Sequence, residues 1–321
     1  MMEKEFLTNN KLPQVKEEAS QEASSFLKRK GRLWLEKLFR FLLILSGILI
    51  LLIIAGLVLS LFLGSLPSFK QFGLNFLIES IWDPAQDTFG ALAFIVGTVL
   101  VAGLALLISL PFSLALAIFL GEYKVRGFGS GLMRTVLELL AGIPSVIYGL
   151  VGIALLVPVI QQIQLELGFI PYGVSIVSAA LTLAVMIIPY TASISKEVLQ
   201  LVPLELKEAA YALGATRQEV ITQISFPYAA SGISAGIILA LGRGLGETIA
   251  VTMLIGNVNS LPENLFSPGQ TIASLIANQF NEANNELHRA SMLELGLILL
   301  IITVIVNILG RLLSKKMLVQ G

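Results

Sequence analysis

The chain is 321 residues long, 55% hydrophobic and only 13% charged, with a formal net charge of zero and a mean hydropathy of +0.86. A soluble fold has too little interior to hide so much apolar surface, so the composition predicts a polytopic membrane protein. A neutral chain argues against a nucleic-acid partner, the absence of cysteine excludes disulfides and thiolate metal sites, and a single histidine, His288, argues against structural zinc.

Residues 1–36 mix Lys, Glu, Ser and Asn without a sustained apolar period, which predicts a mostly disordered cytoplasmic tail, helical only near the membrane. Six segments then reach the roughly 20 apolar residues that cross a bilayer: 41–63, 91–120, 135–158, 171–195, 226–256 and 290–312. The first runs from Phe41 to Leu63 without a charge. It exceeds the apolar core of a cleavable signal peptide and is read as a retained helix. The connection at 64–89 has room for short interfacial helices, with Trp82 and Phe89 as anchors at the lipid boundary. Pro111, Pro144 and Pro189 fall in or near later spans and predict kinks. Glu138 is an acid inside the third segment, close to the break Ala141-Gly-Ile-Pro144-Ser145. It either faces the pathway or snorkels at the cytoplasmic end, and the second placement is favoured.

A polar, charged hairpin separates the fourth and fifth segments. Glu208 to Leu213 is a strong helix-forming run, and Gly214 permits the left-handed turn that ends it. Arg217 to Ile224 restarts a helix with Val220, Ile221 and Ile224 on one narrow apolar face, and Pro227 is expected to stop that piece where the next span begins. Helix, turn and helix leave one face free to dock into a groove on a soluble partner.

The fifth segment carries Gly242-Arg243-Gly244-Leu-Gly246-Glu247-Thr248. A charge at mid-bilayer costs about 2.5–3.5 kcal/mol even on the lenient insertion scale, so it is seldom retained without a task. Arg243 and Glu247 stand four apart and are expected to share a helix face and pair. The glycines leave bare backbone for close helix approach or for contact with a solute. Two readings stay open: a neutralised pair that locks helices, or a guanidinium fork for an anion with Glu247 holding or gating it. His288 and Arg289, at the outer edge of the sixth segment, are read as surface groups or contacts for an external partner.

Lysine and arginine set the orientation. Nine precede the first span, Lys124, Arg126 and Arg134 follow the second, Lys196, Lys207 and Arg217 flank the hairpin, and Arg311, Lys315 and Lys316 follow the sixth. The opposite side carries only Lys70 and Arg289. The positive-inside rule therefore puts both termini and the hairpin in the cytoplasm. No stretch fits the nucleotide-binding pattern of Gly, four residues and Gly-Lys-Ser/Thr, so an ATP-driven process would need another subunit.

The hairpin resembles the EAA loop of ABC-importer permeases, matching it at Glu208, Ala209, Ala210, Gly214, Ile224 and Pro227, with Phe226 in a place usually held by leucine. Further stretches resemble the phosphate-specific permeases of the PstC type: Gly73-Leu-Asn-Phe-Leu with Trp82-Asp83, Glu138 to Gly149, Leu241 to Val251, and Met292 to Leu299. The resemblance covers roughly residues 40–313 and implies an all-α, six-helix type I ABC-importer permease fold in the cell (inner) membrane. The implied layout is a tail over 1–36, a permease domain over 37–316 with its coupling hairpin at 205–227, and a short tail at 317–321. It also implies the function: a non-enzymatic subunit, without cofactor, that forms half the pathway of an inorganic phosphate importer. The implied partners are a PstA-type permease, a dimer of ATP-binding subunits and an external phosphate-binding protein. On this resemblance Arg243 and Glu247, with Thr248, Gly244 and Gly246, line the phosphate pathway, and the hairpin residues couple to the ATPase. The rivals are a permease for molybdate or sulfate, an ion-coupled transporter using Glu247, Glu138 and His288, and a membrane sensor that transports nothing.

Overall fold

The computed structural model describes residues 12–123 and 128–319. Lys4, Lys11, Lys124 and Arg126, used above for orientation, lie outside the described residues, as do positions 320 and 321 of the expected C-terminal tail. The chain divides into two compact units, residues 1–60 and 61–321.

In the first unit, helix α1 (Leu12–Phe72) begins well inside the stretch expected to be disordered. The run from 16 to 32 is rich in Lys, Glu, Ala and Gln, all good helix formers, so propensity carries it without an apolar stripe. From Phe41 to Leu57 the side chains are exposed around the whole circumference, the pattern of a helix whose neighbour is lipid.

The second unit takes up the end of α1 and continues through α2 (Asn75–Ile78), the strands β1 (Trp82–Asp83) and β2 (Thr88–Phe89), and the long helix α3 (Leu92–Gly121). Next come α4 (Phe128–Gly142), α5 (Ser145–Val151), α6 (Val157–Glu166) and α7 (Ile176–Gln200). The hairpin helices α8 (Leu204–Ala212) and α9 (Arg217–Val220) precede α10 (Phe226–Leu245), α11 (Ile249–Leu254), α12 (Ile272–Gln279) and α13 (Glu286–Val319). Among the described residues six helical stretches are long and apolar enough to cross a membrane: Glu36–Phe72, Leu92–Gly121, Ser145–Glu166, Ile176–Gln200, Arg217–Leu245 and Glu286–Leu312.

α3 and α7 form the centre. On α3 every fourth residue is buried and nearly all are small: Ala93, Gly97, Val101, Ala105, Ser109, Ser113, Ala117 and Gly121. That spacing follows one ridge of the helix surface, and small side chains along it let a neighbour come close without a hydrophobic driving force. At its lower end a Cβ on Gly121 would meet Lys196 O and Leu199 Cβ of α7, both at 3.3 Å. At its upper end a Cβ on Gly97 would overlap the Gln270 carbonyl, and Thr98 Oγ1 accepts the Ile272 amide at 3.0 Å. A valine at Gly97 must therefore displace backbone, and overpacking of this kind costs about 1–3 kcal/mol or more. Gly97→Val is expected to lower the thermal midpoint and yield of extracted protein, measured against Gly103→Val, whose Cβ meets open space.

Several expectations need correction. The third span starts at Ser145, not 135, because Pro144 disfavours helical backbone at Ile143 and α4 ends at Gly142. Glu138 thus lies on α4, exposed and outside the six spans. Trp82 and Phe89 are not lipid anchors. They pair across β1 and β2 and sink into an aromatic cluster with Phe76 and Phe94. Trp82 Nε1 donates to Gln279 Oε1 at 3.0 Å, so the ring finds its polar partner in protein. His288 is not a surface group either: it is 6% exposed, and its ring stacks on Phe89 at 5.1 Å.

Pro227 does not stop its helix. Between α9 and α10 the chain makes a π-turn, Ile221–Ser225, with the Phe226 amide reaching back to Ile221 O. The wider turn absorbs the clash that a proline ring would otherwise make with the carbonyl four residues earlier. The same device, Gly152–Leu156, precedes Pro158 between α5 and α6.

Candidate pathway and coupling sites

The hairpin is built from short-range rules. α8 has no buried residue; Glu208 and Ala209 are exposed and Ala210 half-buried. Gly214 takes φ +89°, a backbone state that side chains resist, and donates to Tyr211 O at 3.0 Å to close the turn. Thr216 and Glu219 then form a reciprocal capping box that starts α9. The apolar face expected on 217–224 points inward: Val220 and Ile221 are buried and Ile224 is half-buried. The face left open belongs instead to α8 and its turn, where Tyr211 is 47% and Leu213 90% exposed. Pro227 is exposed as well.

Sequence reasoning missed what holds this hairpin. Lys207 Nζ pairs with Glu122, just past the end of α3, at 2.8 and 2.9 Å, with the two side chains 13% and 6% exposed. Arg217 lies over the Tyr123 ring at 3.9 Å and donates to Glu122 O at 2.8 Å. Two cations from the hairpin therefore clasp one corner of the bundle. Removing one member of a shielded pair strands the other charge, a loss of about 3–5 kcal/mol when burial is complete. Glu122→Ala is expected to raise hydrogen exchange across α8 by at least tenfold while α7 stays protected. Equal protection of α8 in Glu122→Ala and the unaltered chain would remove the clasp from the account.

The fifth span breaks. α10 ends at Leu245, Gly246 and Glu247 leave the helix, and α11 starts after Thr248. Gly244 and Gly246 each weaken a helix by about 1 kcal/mol relative to alanine, and Glu247 Oε1 accepts the Ala250 amide at 3.5 Å, favouring a fresh start. Thr248 Oγ1 donates to Gly246 O at 3.1 Å. Gly244 is buried near Leu183, whereas Gly246 is exposed with only its own turn nearby.

The break overturns the expected Arg243–Glu247 pair. Among the described residues Arg243 makes no ion pair; its guanidinium lies over the Tyr190 ring at 4.4 Å from the centroid. The difference is large in kind. A carboxylate at 4 Å would hold the guanidinium by about 4 kcal/mol at an effective dielectric of 20. A ring face holds it by about 0.5–1 kcal/mol at an exposed site. The exposed Arg243 is therefore held in place without being neutralised. No group of three or more His, Cys, Asp or Glu side chains among the described residues could hold a metal.

Residues 113–319 match the family described as binding-protein-dependent transport system inner membrane component. The chain is 44% identical over 299 residues to the phosphate transport system permease protein PstC of Haemophilus influenzae, covering 88% of this chain and 94% of that protein. It is 43% identical over 297 residues to the PstC of Pasteurella multocida, with 88% and 92% covered. Among solved structures it resembles a chain of the bacterial alginate ABC transporter in complex with an alginate pentasaccharide-bound periplasmic protein. The TM-score there is 0.56 at 17% identity, covering 86% of this chain and 95% of that one, a likeness of fold. The chain therefore belongs to the binding-protein-dependent transport system inner membrane components and, within them, to the PstC-type permeases.

Proposed function

We propose that this chain forms half of the translocation pathway of an ATP-driven inorganic phosphate importer and passes the work of a separate ATPase to that pathway through its hairpin. The observation that carries the reading is Arg243, a guanidinium held on a ring face with its charge unpaired among the described residues, on the helix that leads up from the hairpin. The names of its relatives supply the substrate. The hairpin, with both termini, faces the cytoplasm, a reading that rests on the lysine and arginine distribution. Glu208, Ala209, Ala210, Gly214, Ile224 and Pro227 form or support the surface offered to a dimer of ATP-binding subunits. A PstA-type permease completes the pathway, and an external phosphate-binding protein loads it.

Closure of the ATPase dimer moves α8. Arg217 and Lys207 transfer that movement to the end of α3, and the π-turn passes it into α10. Arg243 stands 16 residues beyond Pro227, about 24 Å along the helix at 1.5 Å per residue, so a tilt at the hairpin is magnified at the anion's path. Glu247, Thr248, Gly244 and Gly246 border that path at the break. One unpaired arginine attracts a phosphate without trapping it, which conduction requires.

The test is radiolabelled phosphate uptake into proteoliposomes holding this chain, its partner permease, ATPase and binding protein. Uptake that needs ATP and resists excess sulfate and molybdate is the expected result. ATP-driven flux of either competitor without phosphate would keep the architecture and replace the substrate.

A further inference from the structure

We infer that Tyr190 is a positioning residue of the anion pathway, whose ring face holds the Arg243 guanidinium without a carboxylate and so leaves its N–H donors clear of an oxygen acceptor, ready for a passing oxyanion. The inference rests on the reading of Arg243 as the pathway charge, and it adds what keeps that charge usable.

A guanidinium carries five N–H donors, all in its plane. A carboxylate partner would occupy two of them side by side, the same pair that a phosphate would take. An aromatic ring face offers no oxygen to accept them and so leaves them to a ligand. The Arg243–Tyr190 contact, 4.4 Å from guanidinium carbon to ring centroid, is the second kind. The acid that sequence reasoning had offered to Arg243 is otherwise placed: Glu247 lies beyond the end of α10 with an oxygen toward the Ala250 amide.

Tyr190 is itself held in two ways. It follows the buried Pro189 on α7, which fixes its place in the helix. Its hydroxyl donates to Ala141 O at 3.3 Å, one of the carbonyls that the last turn of α4 leaves without a helical partner. Tyr148, at the start of the third span, serves the neighbouring Leu140 O in the same way at 2.8 Å. The break at Ile143 and Pro144, which the sequence displays without a purpose, thus ends α4 where two tyrosines can use its carbonyls. Three elements, α4, α7 and α10, meet at Tyr190, and the ring sets the position of the Arg243 guanidinium relative to all of them.

The experiment compares Tyr190→Leu, Tyr190→Met, Tyr190→Phe and Tyr190→Trp in the full reconstituted complex. Maximal ATP-driven phosphate uptake is read at saturating loaded binding protein, beside Arg243→Ala and the unaltered chain, with assembly checked by size-exclusion chromatography. Loss of the ring face is expected to lower uptake about fivefold in the leucine and methionine variants, while phenylalanine and tryptophan stay within about twofold. A packing role alone would follow volume and penalise the larger tryptophan as well as the smaller leucine and methionine, whereas a ring-face role spares tryptophan. Unchanged uptake in whichever of the leucine or methionine variants assembles overturns the inference. So does an equal loss in the phenylalanine variant, which would move the role to the hydroxyl. If the unaltered complex carries no phosphate, or Arg243→Ala carries it normally, the underlying reading fails instead.

Discussion

Arg243→Ala is expected to reduce phosphate uptake by about 10- to 100-fold while leaving assembly unchanged. Charge-assisted hydrogen bonds contribute about 1.5–3 kcal/mol each, and each 1.4 kcal/mol is a factor of ten in rate. The side chain is exposed and makes no ion pair among the described residues, so the fold loses little more than a cation–π contact of about 1 kcal/mol. Arg243→Lys restores a point charge but not the planar fork, and is expected to fall between alanine and the unaltered chain. Glu247→Gln should lower uptake less than Arg243→Ala, because its carboxylate faces the Ala250 amide at 3.5 Å instead of the guanidinium. Radiolabelled uptake by the three variants, each normalised to purified complex, checks the ranking. A glutamine variant as impaired as the alanine variant would restore the pairing that the broken helix argues against.

Gly214→Pro is expected to detach the ATPase. Proline fixes φ near −65°, whereas Gly214 stands at +89°, and proline also lacks the N–H that closes the turn onto Tyr211 O. Leu213 and Tyr211, exposed beside that turn, would then be presented in the wrong place. Glu208→Lys reaches the same end without touching the fold. The residue is exposed, so its own stability cost should stay within about 0.5 kcal/mol, while a reversed charge opposite a buried partner group costs about 2–5 kcal/mol of binding. Both variants should lose ATPase co-purification by about tenfold or more. Full recovery of the ATPase with Glu208→Lys and Gly214→Pro together would remove the hairpin from the coupling route.

The hairpin was legible because its rules are local: helix formers, a glycine that must adopt positive φ, and a restart after it. Even the capping box stands in the sequence as Thr216 and Glu219, three residues apart. The fourfold stripe of small residues on α3 was equally open to reading, since a single helix period produces it. Position in space was not. Glu122 and Lys207 are 85 residues apart, and nothing local joins them. Tyr190 could not be matched to Arg243, because a ring face under a guanidinium leaves no spacing pattern. Trp82 and Phe89 misled for a related reason: an aromatic residue suits a lipid boundary and a buried cluster alike, and the fold of the segment between the first two spans decides between them. The break after Leu245 went unseen because the apolar run of 226–256 continues on both sides of Gly246, Glu247 and Thr248, which the backbone leaves out of the helix.

The most direct measurement is phosphate delivered per ATP hydrolysed, taken in the same proteoliposomes for the unaltered chain, Arg243→Ala and Gly214→Pro. If the anion site and the hairpin are separate parts joined through α10, Arg243→Ala should still hydrolyse ATP in response to loaded binding protein while the phosphate delivered per ATP collapses. Gly214→Pro should lose stimulated hydrolysis and transport together. A delivery ratio for Arg243→Ala equal to that of the unaltered chain would contradict the account.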